Sequence, residues 1–245
     1  MPAVSQLEKT RTRRHSGVVR LTHWLTFIAF VALLITGAEI VISHPRFYWG
    51  ETGNVNMRPL FSLPLATSRG TIDNGYGSAM PDQNGWSRYL HFEAAWVAVL
   101  TGLVYGIYGL WSGHFRRNLI PKRDDWTWRA YWDRFAGYLR RTLPDRAEES
   151  SYNVLQRTAY FVVIFVLFPL IIWTGLAMSP SFTSAFPATA DLLGGRQSAR
   201  TIHFFVSWLL LLFLVVHVTM VALSGFWSRM RAMITGYPRD SEESQ

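Results

Sequence analysis

The 245-residue chain contains no cysteine. That absence excludes Cys-ligated iron–sulfur clusters, thiolate-ligated haem and covalent haem attachment through C-x-x-C-H. It carries no information about redox compartment. Acid is scarce too: 16 Asp+Glu stand against 24 Lys+Arg, a net charge of +8. No cleavable leader is expected either. Residues 1–17 are polar and basic, and the apolar run after them is full length with no small-residue cleavage site. The first run is therefore expected to act as an uncleaved signal anchor.

What the chain has instead is long apolar runs. It is 49% hydrophobic, with 11 Trp and 16 Phe. These residues concentrate in Val18–Ser43, Ser87–Ser112, Val154–Met178 and Thr201–Ser224. Each run reaches the about 20 residues that a helix needs to cross about 30 Å of hydrocarbon. The expected fold is an all-α membrane protein, a four-transmembrane-helix bundle with a cytoplasmic amphipathic helix. One membrane domain would span residues 18–236, between a disordered basic tail at 1–17 and a second tail at 237–245.

The positive charge is distributed by side of the membrane. With the N-terminus inside, the stretch through Arg20, the loop Gly113–Arg157 and the residues after the fourth run hold 18 of the 24 basic residues. Arg46, Arg58, Arg69, Arg88, Arg196 and Arg200 are the outer six. This positive-inside pattern puts both termini in the cytoplasm of a bacterial inner-membrane protein, and argues for lipid and against nucleic acid as the basic surface's partner.

Between the runs, the outer loop 44–86 is rich in Gly, Asn, Pro and Ser and shows no clear element. It reads as a lid, a docking surface or a disordered segment. In the inner loop, Trp128, Tyr131, Trp132, Phe135, Tyr138 and Leu139 follow helical spacing, which predicts an amphipathic helix over about 124–141 on the cytoplasmic surface. Pro169 is expected to kink the third helix. Gly102, Gly106 and Gly109 lie at spacings that admit a neighbouring helix or a flat macrocycle.

Four histidines fall inside these runs, where ionisable groups are costly and usually functional. His203 and His217 lie fourteen residues apart on the last run. That is almost four helical turns, so both leave nearly the same face, about 21 Å apart along the axis. The topology sets His91 and His203 about one turn below the outer surface, and His23 and His217 toward the inner one. Two depth-matched pairs suit two haems, each iron taking an imidazole from either side. The alternative is buried histidines hydrogen-bonding between helices. Three of the seven histidines carry Arg at −3, namely Arg20, Arg88 and Arg200. These suit haem propionates reaching the headgroups, or simple interfacial snorkelling. His15, His44 and His114 have no such partner and are not assigned to metal.

The chain also reads as two diverged helix pairs. The first and third helices end in apolar-Thr-Gly (Ile35-Thr36-Gly37, Trp173-Thr174-Gly175), and the second and fourth open with Arg-x-x-His. Alignment sets His91 opposite His203. The inner pair His23–His217 then has as its mirror Phe161 and Tyr105, which cannot ligate as bis-imidazole.

Arg20-x-x-His23-Trp24, Arg88-x-x-His91, Tyr152-Asn153-x-x-Gln156-Arg157, the Thr-Gly ends and Arg200-x-x-His203 with His217 resemble the bacterial cytochrome b561 superfamily. Within it, the likeness is to di-haem subunits of nickel–iron hydrogenases and to the formate dehydrogenase gamma subunit. It covers roughly residues 15–236 apart from the outer loop. The resemblance implies two b-type haems, with electrons exchanged between quinone near the inner haem and a periplasmic redox subunit. That partner would be of hydrogenase, formate dehydrogenase or molybdopterin oxidoreductase type, the last suggested by the long outer loop. It also implies that Asn153 and Gln156 contact quinone, while Asn153 reads equally as a helix N-cap. A stand-alone oxidoreductase of the same fold, acting on a small molecule such as superoxide, is the alternative reading.

Overall fold

The computed structural model describes residues 14–54, 56–65, 83–120, 127–139, 154–223 and 225–237. Four helices are long and apolar enough to cross a membrane. They are α1 (Gly17–Ser43), α2 (Gln83–Trp111), α5 (Val154–Met178) and α8 (Arg196–Leu223). Between or after them come the strands β1 (Arg46–Phe47) and β2 (Phe61–Ser62) and the short helices α3 (His114–Asn118), α4 (Trp128–Leu139), α6 (Pro180–Ala185), α7 (Ala188–Asp191) and α9 (Phe226–Thr235).

The four long helices alternate in direction. One end of the bundle carries residues 44–65 and is called here the loop end. The other carries Arg14 and α9 and is called the terminal end. The helices meet through a thin core of Val163, Val206 and Leu210, onto which Phe30, Ile171, Ile202 and Phe213 pack. Near the loop end the core is made of small residues, Ala177, Ala190 and Ala199. The outside is apolar: Ile28, Leu110, Trp111 and Leu212 are all well exposed. Such a surface is stable against hydrocarbon, where helices satisfy their own backbone polar groups.

The spans fall close to the sequence boundaries, and their differences have local causes. α8 starts at Arg196, five residues before Thr201. Its orphan N-terminal amides are satisfied from the outer loop. The Arg196 N–H donates to the Glu51 carboxylate at 2.9 Å, and the Gln197 and Ser198 N–H groups donate to the Gly50 carbonyl at 2.9 and 3.2 Å. A carboxylate at a helix N-terminus is favourable on charge grounds as well. α2 begins at Gln83, upstream of Ser87. α4 covers Trp128–Leu139, and residues 124–126 and 140–141 of the expected span lie outside the described residues. In α5, Val163–Leu167 form a π-turn in which the Phe168 N–H bonds the Val163 carbonyl. Pro169 has no N–H to continue the i→i−4 ladder, and a widened turn accommodates that loss.

The outer loop is structured where it is described. β1 and β2 pair antiparallel, Arg46 with Ser62 and Phe47 with Phe61. Phe47, 1% exposed, stacks on Phe61 at 4.7 Å and packs on Phe204 at 4.5 Å. The Thr201 hydroxyl donates to the Tyr48 carbonyl at 2.7 Å, and the Gly50 N–H donates to Ser198 Oγ at 2.8 Å. The segment therefore seats on the start of α8. Gly195 (φ +106°) lies so close to it that a Cβ would come within 2.5 Å of Gly50 and Glu51 backbone.

The chain after α8 also folds, as α9, where the sequence showed only a basic tail. Gly225 and Gly236, both at positive φ, bracket it. Arg20 Nη1 donates to the Ile234 carbonyl at 2.7 Å, Trp24 Nε1 to Met233 O at 3.2 Å, and the Arg14 N–H to Gly236 O at 2.9 Å. A short amphipathic helix shows little hydropathy, so its existence depends on these donors from α1 and the residues before it.

Gly195→Ala is expected to release the loop segment, being strained both by backbone conformation and by contact. Glu51→Gln should loosen it more mildly. Hydrogen bonds from Arg196 hold the Glu51 carboxyl below its ordinary value of 4.5. The clamp is therefore complete above about pH 4.5 and weakens as pH falls through the depressed value. Limited proteolysis of residues 44–65 reads both effects; an unchanged cleavage rate in Gly195→Ala would sink the docking account.

Candidate functional site

The four intramembrane histidines meet in two pairs. The His91 and His203 ring centroids are 6.3 Å apart at the loop end, and those of His23 and His217 are 6.3 Å apart at the terminal end. α8 supplies one ring to each pair. An imidazole bonds a metal at about 2 Å, so two rings on opposite sides of one iron have centroids about 6 Å apart. The observed separations fit that arrangement and are too long for direct ring-to-ring hydrogen bonding. Among the described residues there is no cluster of three or more metal-ligating side chains. The donor sets are therefore pairs, as a macrocycle-bound iron requires and a non-haem centre does not.

The loop-end pair has a matched second layer. Thr36 Oγ1 is 2.9 Å from His91 Nδ1, and Thr174 Oγ1 is 2.9 Å from His203 Nδ1. Both threonines are 0% exposed. Each hydroxyl also faces the carbonyl one turn back, Ala32 at 2.7 Å and Leu170 at 2.8 Å. A hydroxyl has one proton. Spent on the carbonyl, it leaves Oγ1 to accept from the ring, which places the imidazole proton on Nδ1 and the lone pair on Nε2. Gly37 and Gly175 follow these threonines, and a Cβ on either would stand 3.6 Å from the ring Cε1. The Thr-Gly ends that marked the internal repeat are thus the seats of the two loop-end imidazoles, a role that their sequence pattern did not disclose.

The terminal-end pair is held differently. Phe213 stacks on His217 at 5.7 Å, Tyr160 meets it edge-on at 6.2 Å, and Trp24 meets His23 edge-on at 5.3 Å. The mirror residues Tyr105 and Phe161 are linked through a chain of rings: Phe115 of α3, 6% exposed, lies 5.4 Å from Tyr105 and 5.0 Å from Phe165, which packs on Phe161 at 5.0 Å. A Cβ on Gly109 would lie 2.2 Å from the Phe115 ring, whereas one on Gly102 or Gly106 would meet nothing within 4 Å. The glycine series admits one aromatic ring at its last member and no neighbouring helix at the other two.

The three arginines at −3 have different surroundings. Arg20 gives Nη1 to Ile234, while its Nε is buried with no hydrogen-bond partner. Arg200 donates to the carbonyls of Arg46, at 3.0 Å, and His44, and lies 4.8 Å over the Phe47 ring. Arg88 is exposed. Gln156 is half-buried on the first turn of α5, one turn before Tyr160. Asn153 lies outside the described residues. Arg157, 6% exposed, donates to the Ile120 carbonyl at 3.2 Å and so ties α5 to the segment after α3.

The family model for prokaryotic cytochrome b561 matches residues 14–236. A putative protein-methionine-sulfoxide reductase subunit YedZ1 of Azospira oryzae is 31% identical over 228 residues, covering 91% of this chain and 96% of that protein. Probable Ni/Fe-hydrogenase B-type cytochrome subunits are 28% identical in Cupriavidus necator, over 91% of this chain and 85% of the relative, and 24% identical in Azotobacter vinelandii, over 93% and 87%. With these matches and two histidine pairs in a four-helix membrane bundle, the chain belongs to the prokaryotic cytochrome b561 family, membrane proteins that transfer electrons on b-type haem.

Proposed function

We propose that the protein binds two b-type haems, one between His91 and His203 and one between His23 and His217, and connects quinone at the terminal end with a redox partner subunit at the loop end. The observation that supports this best is the equal 6.3 Å ring separation in both pairs, at opposite ends of one bundle. A b-type haem held by two imidazoles supplies reversible one-electron transfer and leaves no open coordination position. The chain's own task is to present lone pairs and to satisfy the remaining polar groups. Thr36 and Thr174 fix Nδ1 so that Nε2 points its lone pair at the iron position. Arg20, with its buried unpartnered Nε, is suited to a propionate carboxylate at the terminal end. Arg88 would serve the loop end; Arg200 serves it while also holding the loop. His44 and His114 stay outside the ligand set.

The charge distribution orients the bundle with its terminal end in the cytoplasm and its loop end in the periplasm of an inner membrane. At the terminal end, Gln156 and Asn153 fall on the segment that resembles the family's quinone pocket. Tyr160 and Phe213 beside His217 give a flat ring an aromatic wall. At the loop end, the seated segment leaves Trp49, Met57 and Leu60 exposed beside Arg46 and Arg58, a surface for a partner's docking. The curated relatives are named as subunits, which favours a partner-dependent role over a free-standing superoxide-type oxidoreductase. The YedZ1 likeness favours a reductase subunit as the partner; the long outer loop suggests the molybdopterin oxidoreductase type, and a hydrogenase or formate dehydrogenase subunit is the other class.

Purified protein should carry two haems per chain with a reversible b-type spectrum. His23→Ala or His217→Ala is expected to lose one haem and keep the other; His91→Ala or His203→Ala should lose the complementary one. Retention of both haems in the His23 and His217 variants would falsify the pairing. Gln156→Leu should leave haem content intact and weaken quinol-driven reduction by roughly 2- to 10-fold, the value of one neutral hydrogen bond. Stopped-flow reduction of the terminal-end haem by a quinol measures it, and an unaltered rate removes Gln156 from the pocket.

A further inference from the structure

The two histidine pairs share a ring separation but not a hydrogen-bonded surrounding. At the loop end each Nδ1 lies 2.9 Å from a threonine hydroxyl that is itself anchored to a helix carbonyl. The arrangement occurs twice, from the two halves of the repeat, with the same distances and the same 0% exposure of the threonine. At the terminal end His23 and His217 meet aromatic faces and edges. Phe213 stands one turn before His217 on α8, a position from which it stacks on the ring and offers no acceptor.

Resting on the two-haem reading above, we infer that Thr36 and Thr174 are positioning residues that lower the reduction potential of the loop-end haem. Their hydroxyl oxygens draw on the Nδ1 protons of His91 and His203, raising the electron density and basicity of the ligating imidazoles. More basic ligands favour ferric over ferrous iron, and hydrogen bonding behind the ligand is one of the recognised levers on haem potential. Burial strengthens the effect, since water does not compete for either hydroxyl. The anchoring bond to the carbonyl matters for direction. It commits the hydroxyl proton elsewhere, so the threonine accepts from the ring. Were the hydroxyl to donate to Nδ1 instead, the ring proton would move to Nε2 and the ligand would be lost.

The device also orients the rings. An imidazole on a helix has two soft side-chain torsions. A hydrogen bond to the neighbouring helix of the same half fixes both, α1 holding the α2 ring and α5 holding the α8 ring. The loop-end iron position is thus defined by four helices, although only two of them supply ligands.

The test is redox potentiometry of the full-length protein in detergent or nanodiscs, with optical and low-spin EPR readout. His91→Ala and His23→Ala first assign each potential to a pair; if neither removes one wave, it is the haem reading that fails. In Thr36→Val and Thr174→Val, which keep shape and remove the acceptor, the loop-end wave should rise and the terminal-end wave stay. The double variant should change the reduction equilibrium about tenfold, or about 59 mV for one electron. Thr36→Ser and Thr174→Ser retain the hydroxyl and should restore the wild-type value. If a valine variant loses the loop-end haem, the serine variants decide: serine variants that bind haem but show a raised loop-end potential overturn the inference. So does a loop-end potential that is unchanged in both valine variants, or a terminal-end wave that moves by the same amount.

Discussion

An imidazole placed in hydrocarbon must have both of its nitrogens satisfied, because no water is there to do so. Much of the loop end follows from meeting that demand. There, the buried hydroxyls of Thr36 and Thr174 take Nδ1 on both rings. The glycine next to each threonine also lies against the ring, where a Cβ would stand 3.6 Å from Cε1. The Thr-Gly and Arg-x-x-His pieces of each half are therefore two sides of one contact.

The loop-end surface depends on the same helix starts. α8 carries His203 two turns in from its N-terminus. Its first amides are satisfied by Gly50 and Glu51, and the Arg200 guanidinium closes on the carbonyls of residues 44 and 46. The segment after α1 thus fixes the end of the helix on which both pairs depend. Phe47 between Phe61, Phe204 and Arg200 fills the space between the segment and the membrane-buried part. In this family of membrane electron carriers, the surface so made is the one that a partner at this end would meet.

The two halves have diverged most at the terminal end. The histidine pair there takes one ring from each half, His23 on α1 and His217 on α8. Tyr105 of the mirror pair instead meets Phe115, which is pressed against Gly109, where a Cβ would displace the ring. The repeat is thus retained where hydrogen bonding holds it, through Thr36 and Thr174. It is lost where packing alone occupies the site.

The sequence by itself determined the four spans, the class of fold and the grouping of the histidines by depth. The physical reason is that hydrocarbon imposes a length, a composition and a helical period, all of which are one-dimensional. Fourteen residues between His203 and His217 set them on one face whatever surrounds them. Tertiary structure alone decided which groups complete each ring: Thr36 reaches His91 across 55 positions, and Ser198 reaches Gly50 across 148. It also gave order to the outer segment and to α9, which have no long apolar run of their own and fold because carbonyls, amides and a carboxylate from distant parts of the chain converge on them. Hydropathy records what a helix does with lipid. It does not record where a hydroxyl finds its acceptor, so the supports of the site came from the fold.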